Sequence, residues 1–170
     1  KGRVGKMILA IDPGNRESAY VLLDASLRPI AHAKMENEKL IGEIIPHLLA
    51  GGYVTDLALE MVASYGMAVG KEVFETCVWI GRLWEACRAV PQKELIYRMD
   101  EKLCLCHDSR AKDANIRQAL VDRFAPDTSN GGKGTKGTPG FFYGFASDQW
   151  AAMAVGVTYA DLRAGRYIRR

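Results

Sequence analysis

The chain has 170 residues, 48% hydrophobic and 25% charged, with a formal net charge of +3 and a pI of about 8.7. Those values suit one globular domain over residues 1–170 with room for a real core, and they exclude disordered and collagen-like classes. So mild a basicity permits a nucleic-acid partner without arguing for one.

Residues 7–12 (MILAID) read as a buried strand ending on Asp12, and Pro13-Gly14-Asn15 starts the turn to a second strand at 19–24. Arg28-Pro29 precedes a third at 30–35, so the opening predicts an antiparallel meander. Residues 38–50 carry Leu40, Ile41, Ile44, Ile45, Leu48 and Leu49 at helical spacing. Within them Pro46 predicts a kink or an early end, and Gly51-Gly52 stops the segment. A strand follows at 54–62, with Glu60 near its end. Residues 69–90 form a long helical stretch bearing Phe74, Trp79 and Trp84. Its apolar surface exceeds what one sheet face requires, which leaves core packing and a dimer stripe both open. A strand at 94–99, a semi-buried segment around Leu103 and Leu105 and an amphipathic helix at 111–124 come next. A glycine-rich loop at 127–140, expected to be flexible, leads to a small-residue helix at 147–164 with Ser147 as N-cap. The order βββαβαβαα predicts an α/β fold, a five-stranded mixed sheet flanked by helices.

No apolar run approaches the ~18 residues of a membrane span, and the N-terminal stretch has no secretory apolar core. Cys77, Cys87, Cys104 and Cys106 form no secreted-protein framework, so a reducing cytoplasm is expected. Cys104-Leu105-Cys106-His107 lacks zinc-site spacing and reads as buried free thiols. The loop NGGKGTKGTPG lacks the order of a phosphate-cradling P-loop and does not link a strand to a helix, so no nucleotide cofactor is expected.

Three carboxylates stand at comparable places. Asp12 ends the first strand and Glu60 nearly ends the fourth, while Asp148 opens the last helix. Taken singly, Asp12 reads as a turn-starting residue and Asp148 as a carboxylate favouring the helix dipole. Glu60 inside an apolar strand is harder to dismiss, because an unpaired buried carboxylate is costly. If the two strands are parallel neighbours, Asp12 and Glu60 emerge at one sheet edge, and the loop before the last helix is long enough to bring Asp148 to it. They would repel one another there unless a divalent cation, Mg²⁺ or Mn²⁺, neutralised them.

The string ILAIDPG at 8–14 resembles the first motif of the RuvC-type Holliday junction resolvases, a ribonuclease H-like family. LALE at 57–60 resembles its second motif and ASDQWAAMA at 146–154 its last acidic helix. RMDEK at 98–102 and RAKDANIRQAL at 110–120 are similar to its lysine-bearing segment and the helix after it. YGMAVG at 65–70, with FET at 74–76 and WIGR at 79–82, resembles the bacteriophage-encoded branch. The resemblance implies a homodimeric endonuclease, dependent on two Mg²⁺ ions per site with Mn²⁺ able to substitute, acting in the cytoplasm of a bacterial host. It would nick four-way DNA junctions symmetrically, leaving 5′-phosphate ends, with Asp12, Glu60 and Asp148 as catalytic metal ligands. The resemblance departs at Phe145, where bacterial members carry a fourth acid or a histidine. It departs again at Ala63, where an aromatic wedge is common and Tyr65 is the nearest substitute. Those departures keep two alternatives in view: a branched-DNA nuclease acting on forks, flaps or packaging intermediates, and a junction-binding module that does not cleave.

Arg110, Lys112, Arg117 and Arg123 cluster around one helix, and Lys133 and Lys136 lie in the glycine-rich loop. Together with Tyr65 and Lys102, the residues Arg110, Lys112, Arg117, Lys133 and Lys136 are the expected DNA contacts. The basic residues Arg163, Arg166, Arg169 and Arg170 either extend that surface or solubilise the end of the chain.

Overall fold

Side-chain alternation along the first strand sets the layers. In the computed structural model, described over residues 6–169, β1 (Met7–Asp12) turns Ile8 and Ala10 to one face and Leu9 and Ile11 to the other. Both faces are covered, so the strand is apolar throughout rather than alternating. β2 (Glu17–Leu23) pairs antiparallel with β1, and β3 (Pro29–Glu36) antiparallel with β2. β4 (Val54–Met61) adds in parallel on the other side of β1, and β5 (Gln92–Tyr97) in parallel beyond it. The sheet order is β3-β2-β1-β4-β5, the five-stranded mixed sheet expected from the sequence.

Between β3 and β4 run α1 (Asn37–Lys39), a π-helical turn (Leu40–Ile44) and α2 (Ile45–Leu49), without a break. Pro46 therefore does not end the helix. It carries no N–H, the ladder loses a bond there, and the turn before it widens instead. α3 (Lys71–Ala86) links β4 to β5 and packs Ile80 and Leu83 against Leu9, Ile11, Leu57 and Leu59. Each such fully buried aliphatic side chain contributes about 1.5–3 kcal/mol.

The strand expected at 94–99 ends at Tyr97, and Arg98 and Met99 open α4 (Arg98–Cys106), a helix the sequence reading left unassigned. Its first turn is charged and its apolar residues are only partly buried, so no apolar stripe marked it. Asp100 fixes its start by accepting the Tyr97 N–H at 3.1 Å.

α5 (Asp113–Phe124) and α6 (Gln149–Arg163) cover the opposite face of the sheet from α3. α6 lies close on β1 and β2, because a Cβ at Gly156 would stand 2.6 Å from Leu23 Cδ1 and 2.9 Å from Ala10 Cβ. Asp148, not Ser147, holds its N-cap position. Ser147 has φ +45°, which is incompatible with the extended backbone of a cap, and its hydroxyl donates to Asp148 Oδ1 at 3.2 Å. Ahead of α6, Phe142, Phe145 and Trp150 pack as one aromatic cluster, with Phe142 and Trp150 centroids 4.6 Å apart. The glycine-rich residues 127–140 fold back on themselves, Gly140 N–H donating to Lys133 O at 2.8 Å and Thr135 N–H to Thr138 O at 3.0 Å. No helix among the described residues is long and apolar enough to cross a membrane.

Candidate metal and nucleic-acid site

Register brings the first two carboxylates together. Ile11 pairs with Leu59 across the parallel β1–β4 ladder, so Asp12 and Glu60, each one residue further on, leave the sheet at the same carboxyl edge. Ala10 and Ala58 pack with Val155 and Tyr159 of α6. Two residues along each strand, Asp12 and Glu60 therefore face the α6 side as well. Their side chains lie within hydrogen-bonding reach. Burial, then the charge of Glu60, pushes the Asp12 carboxyl up to about 9. Burial, then the charge of Glu101, raises Glu60 to about 7. Carboxyls so placed hold a proton between them unless a cation takes its place. An all-oxygen donor set with this affinity for positive charge fits a hard divalent ion such as Mg²⁺ or Mn²⁺.

The turn after Asp12 is braced by a buried polar network. Gly14 N–H donates to Ser18 Oγ at 3.3 Å, Ser18 Oγ donates to Asn37 Oδ1 at 2.6 Å, and Asn37 Nδ2 returns to Gly14 O at 2.9 Å. Ser18 and Asn37 are each 1% exposed, so this loop is fixed rather than a free turn.

Asp148 stands at the rim. Its charge reaches Asp12, but its Oδ2 is held by Lys34 Nζ at 2.7 Å, a lysine that also lies 3.5 Å from Glu17. Lys34 pairs with Ala19, which in turn pairs with Asp12, so the lysine and the acid sit in one row across the sheet. Among the described residues no three His, Cys, Asp or Glu side chains gather into a ready-made metal cluster. The fold thus joins Asp12 to Glu60 and leaves Asp148 on Lys34. Phe145 is 1% exposed and packs on His32 with ring centroids 4.4 Å apart, so it offers the site no donor.

Three residues escaped the sequence reading. Lys34 lies on an edge strand, where a lysine ordinarily reads as solvent-facing; its alternation with His32, two residues earlier, was the available signal. Arg98 and Glu101 occupy the unassigned helix α4. Arg98 Nη1 donates to Glu101 Oε2 at 2.5 Å while its Nη2 pairs with Asp113. Glu101 is completely buried.

The expected DNA contacts fall into groups. Lys102, Arg110 and Lys112 come together with Arg98 around an open depression of about 470 Å³. Arg117 lines a narrower crevice of about 90 Å³ with Arg98, Asp113 and Asp148, and its guanidinium lies 4.5 Å over the Trp150 ring. Tyr65 is 56% exposed with φ +48°, in the loop between β4 and α3. Lys133 and Lys136 line neither depression, although their segment borders Arg117: a Cβ at Gly131 would lie 3.4 Å from Arg117 Nη2. Arg123 is turned inward to Asp161 at 2.6 Å. Near the C-terminus, Arg166 pairs with Asp161, and Arg169 with Glu94 and Asp100, so these two arginines clamp the chain end to the body. Arg170 lies outside the described residues. A larger cavity of about 690 Å³ opens at the opposite strand ends, around Ile8, Asp56 and Tyr159, away from the carboxylates.

No protein-family model matches this chain, and no curated protein sequence is similar to it. Solved structures do share its fold. The structure of Thermus thermophilus RuvC superposes with a TM-score of 0.64 at 15% identity, covering 94% of this chain and 96% of that one. The T. thermophilus RuvC complex with a Holliday junction substrate gives 0.66 at 15% identity over 94% and 96%. A Fowlpox virus resolvase in complex with its substrate Holliday junction DNA gives 0.50 at 12% identity, over 91% of this chain and 97% of that one. The fold is therefore the ribonuclease H-like one of these resolvases.

Proposed function

We propose that the chain is a metal-dependent, structure-specific DNA endonuclease that resolves four-way junctions by paired symmetric hydrolysis. One observation carries this: two half-buried carboxylates of raised proton affinity, Asp12 and Glu60, stand side by side at a sheet edge in the fold of junction resolvases. Asp12, Glu60 and Asp148 would hold two Mg²⁺ ions, or Mn²⁺ in their place, a pair of ions being the arrangement that suits phosphodiester hydrolysis. When bound, such ions supply the positive charge that activates a water and stabilises the departing oxygen.

The chain's own residues do the rest. Lys34 fixes the orientation of Asp148 at the rim and offsets its charge. Lys102, Arg110 and Lys112 present cations to phosphates entering the open depression, and Arg117 does so at the crevice leading to Asp148. Tyr65, exposed in the loop after the strand that carries Glu60, would stack on bases at the junction centre. On α3 the outward residues Phe74 and Val78, 63% and 64% exposed, form an apolar stripe suited to a homodimer. A two-fold dimer supplies the two sites that paired cleavage needs. The single nuclease domain spans the chain, and the bacteriophage branch and the cytoplasm of a bacterial host belong to the same proposal.

The test is direct. Labelled four-way, forked, duplex and hybrid substrates are incubated with the protein in Mg²⁺, Mn²⁺ or EDTA, beside Asp148→Asn. Symmetric paired nicks with 5′-phosphate ends in the four-way junction, lost in EDTA and in the variant, support the proposal. Equal cutting of forks replaces it with a broader branched-DNA nuclease, and binding without cleavage replaces it with a junction-binding module.

A further inference from the structure

Glu101 is a buried carboxylate outside the Asp12–Glu60 pair, and its surroundings are unusual. The residue lies in the first turn of α4, which begins where β5 ends. Ile96 pairs with Glu60 and Tyr97 with Met61, so this turn sits over the same carboxyl edge as the Asp12–Glu60 pair. Asp100 pins the turn three ways: it accepts the Tyr97 N–H at 3.1 Å, the Tyr167 hydroxyl at 3.1 Å and Arg169 Nε at 3.1 Å. Glu101 is thus held in place rather than merely tolerated there.

Its two oxygens are treated differently. Oε2 accepts from Arg98 Nη1 at 2.5 Å. Oε1 is buried and has no hydrogen-bond partner, the only carboxylate oxygen in that condition among the described residues. Leaving such an acceptor idle costs about 1–3 kcal/mol, more for a charged group, and an apolar side chain would fill the position without that cost. Arg98 does not settle the balance, because it is shared with Asp113. The charge of Arg98 also reaches Asp12 and Glu60, so one arginine serves four carboxyl groups, with an idle oxygen beside it. The charge of Glu101 is also the strongest of those bearing on Glu60.

We propose that Glu101 is a further carboxylate of the cation site, its free Oε1 a donor to the divalent ion gathered by Asp12 and Glu60. This rests on the reading of that pair as a divalent-metal site. It gives α4 a direct part in metal binding, in addition to carrying Lys102 toward DNA.

The test reads metal binding by the full chain without DNA. Free Mn²⁺ is followed by electron paramagnetic resonance during titration of the wild type, Glu101→Gln, Asp113→Asn and Asp12→Asn. Glu101→Gln is expected to weaken Mn²⁺ binding by roughly 10- to 100-fold, while its metal-free melting temperature is maintained or raised. Asp113→Asn, which frees Arg98 without touching the idle oxygen, is expected to bind as the wild type does. Wild-type affinity in Glu101→Gln would overturn the proposal and leave the Asp12–Glu60 pair standing. Equal weakening in Glu101→Gln and Asp113→Asn would also overturn it, since the effect would then run through Arg98. If neither the wild type nor any variant binds Mn²⁺, the cation site falls and this proposal with it. Should Glu101→Gln not fold, Glu101→Asp decides by the same readout: the shorter carboxylate keeps the charge, and weakened Mn²⁺ binding is expected from its lost reach.

Discussion

Asp12 ties stability to pH in a direction opposite to that of a salt-bridged carboxylate. Its carboxyl is pushed from 3.8 up to about 9 by burial and by Glu60. Between those values the folded, cation-free protein keeps a proton that the unfolded chain has lost, so stability falls as pH rises through that window. The expected outcome in EDTA is a melting temperature that declines from about pH 5 to about pH 9. Asp12→Asn should reduce the decline to the share that Glu60 and Glu101 contribute while abolishing cleavage, and Mg²⁺ should raise the melting temperature most at the alkaline end. Calorimetric scans across pH check all three. Lys34 acts at the same scale. Its ammonium is held charged chiefly by its hydrogen bond to Asp148, and the pair is partly exposed. Lys34→Met should therefore change stability by less than about 1 kcal/mol. Removing a cation beside the carboxylates should at the same time tighten Mn²⁺ binding a few-fold, as calorimetric titration would show.

At the scale of elements, the site depends on a braced turn and a closely seated helix. The turn after Asp12 is locked to the start of α1 through Ser18 and Asn37. Asn37→Ala leaves the buried Ser18 hydroxyl and Gly14 carbonyl without their partner. A loss of about 1–3 kcal/mol is expected in urea unfolding, with a larger proportional loss of cleavage because Asp12 is no longer fixed. α6 brings Asp148 to the site only as closely as Gly156 permits. A methyl there meets Ala10 Cβ at 2.9 Å, and β1 cannot retreat between its two paired neighbours. Gly156→Ala should cost about 1–3 kcal/mol by overpacking and lower activity by shifting the helix start. α4 shows why some elements hid from the sequence. It packs charge toward a site rather than an apolar stripe toward a core, so periodicity has little to detect, and the sequence pattern of the strand before it continues through Met99 although the strand ends at Tyr97.

For the whole molecule, the separate surfaces must act together. If α3 supplies a two-fold interface, Val78→Glu should convert a dimer to a monomer on size-exclusion chromatography with light scattering. Paired nicking should then be lost while the metal-free fold persists, because Val78 is 64% exposed. If the depression around Arg110 and Lys112 holds phosphates, replacing both by alanine should weaken junction binding regardless of sequence. Each lost phosphate contact should reduce the salt dependence of log K by about 0.9. A salt titration of fluorescent junction binding measures that slope.

Local chemistry made much of this protein legible in the sequence. The apolar strand ending on Asp12, the glutamate inside β4, the run of small residues in α6 and the alternation of strands and helices depend on period and side-chain type, and these fix the sheet and its carboxyl edge. What depended on register and backbone direction was decided only in three dimensions. Parallel pairing of β1 with β4 set Asp12 beside Glu60. The row from Asp12 through Ala19 to Lys34 handed Asp148 a lysine. The left-handed backbone at Ser147 moved the cap to Asp148, and the placement of α4 buried Glu101 with one oxygen idle. The reason is physical: a side chain's type is local, but its burial and charge environment belong to every strand and helix that closes around it.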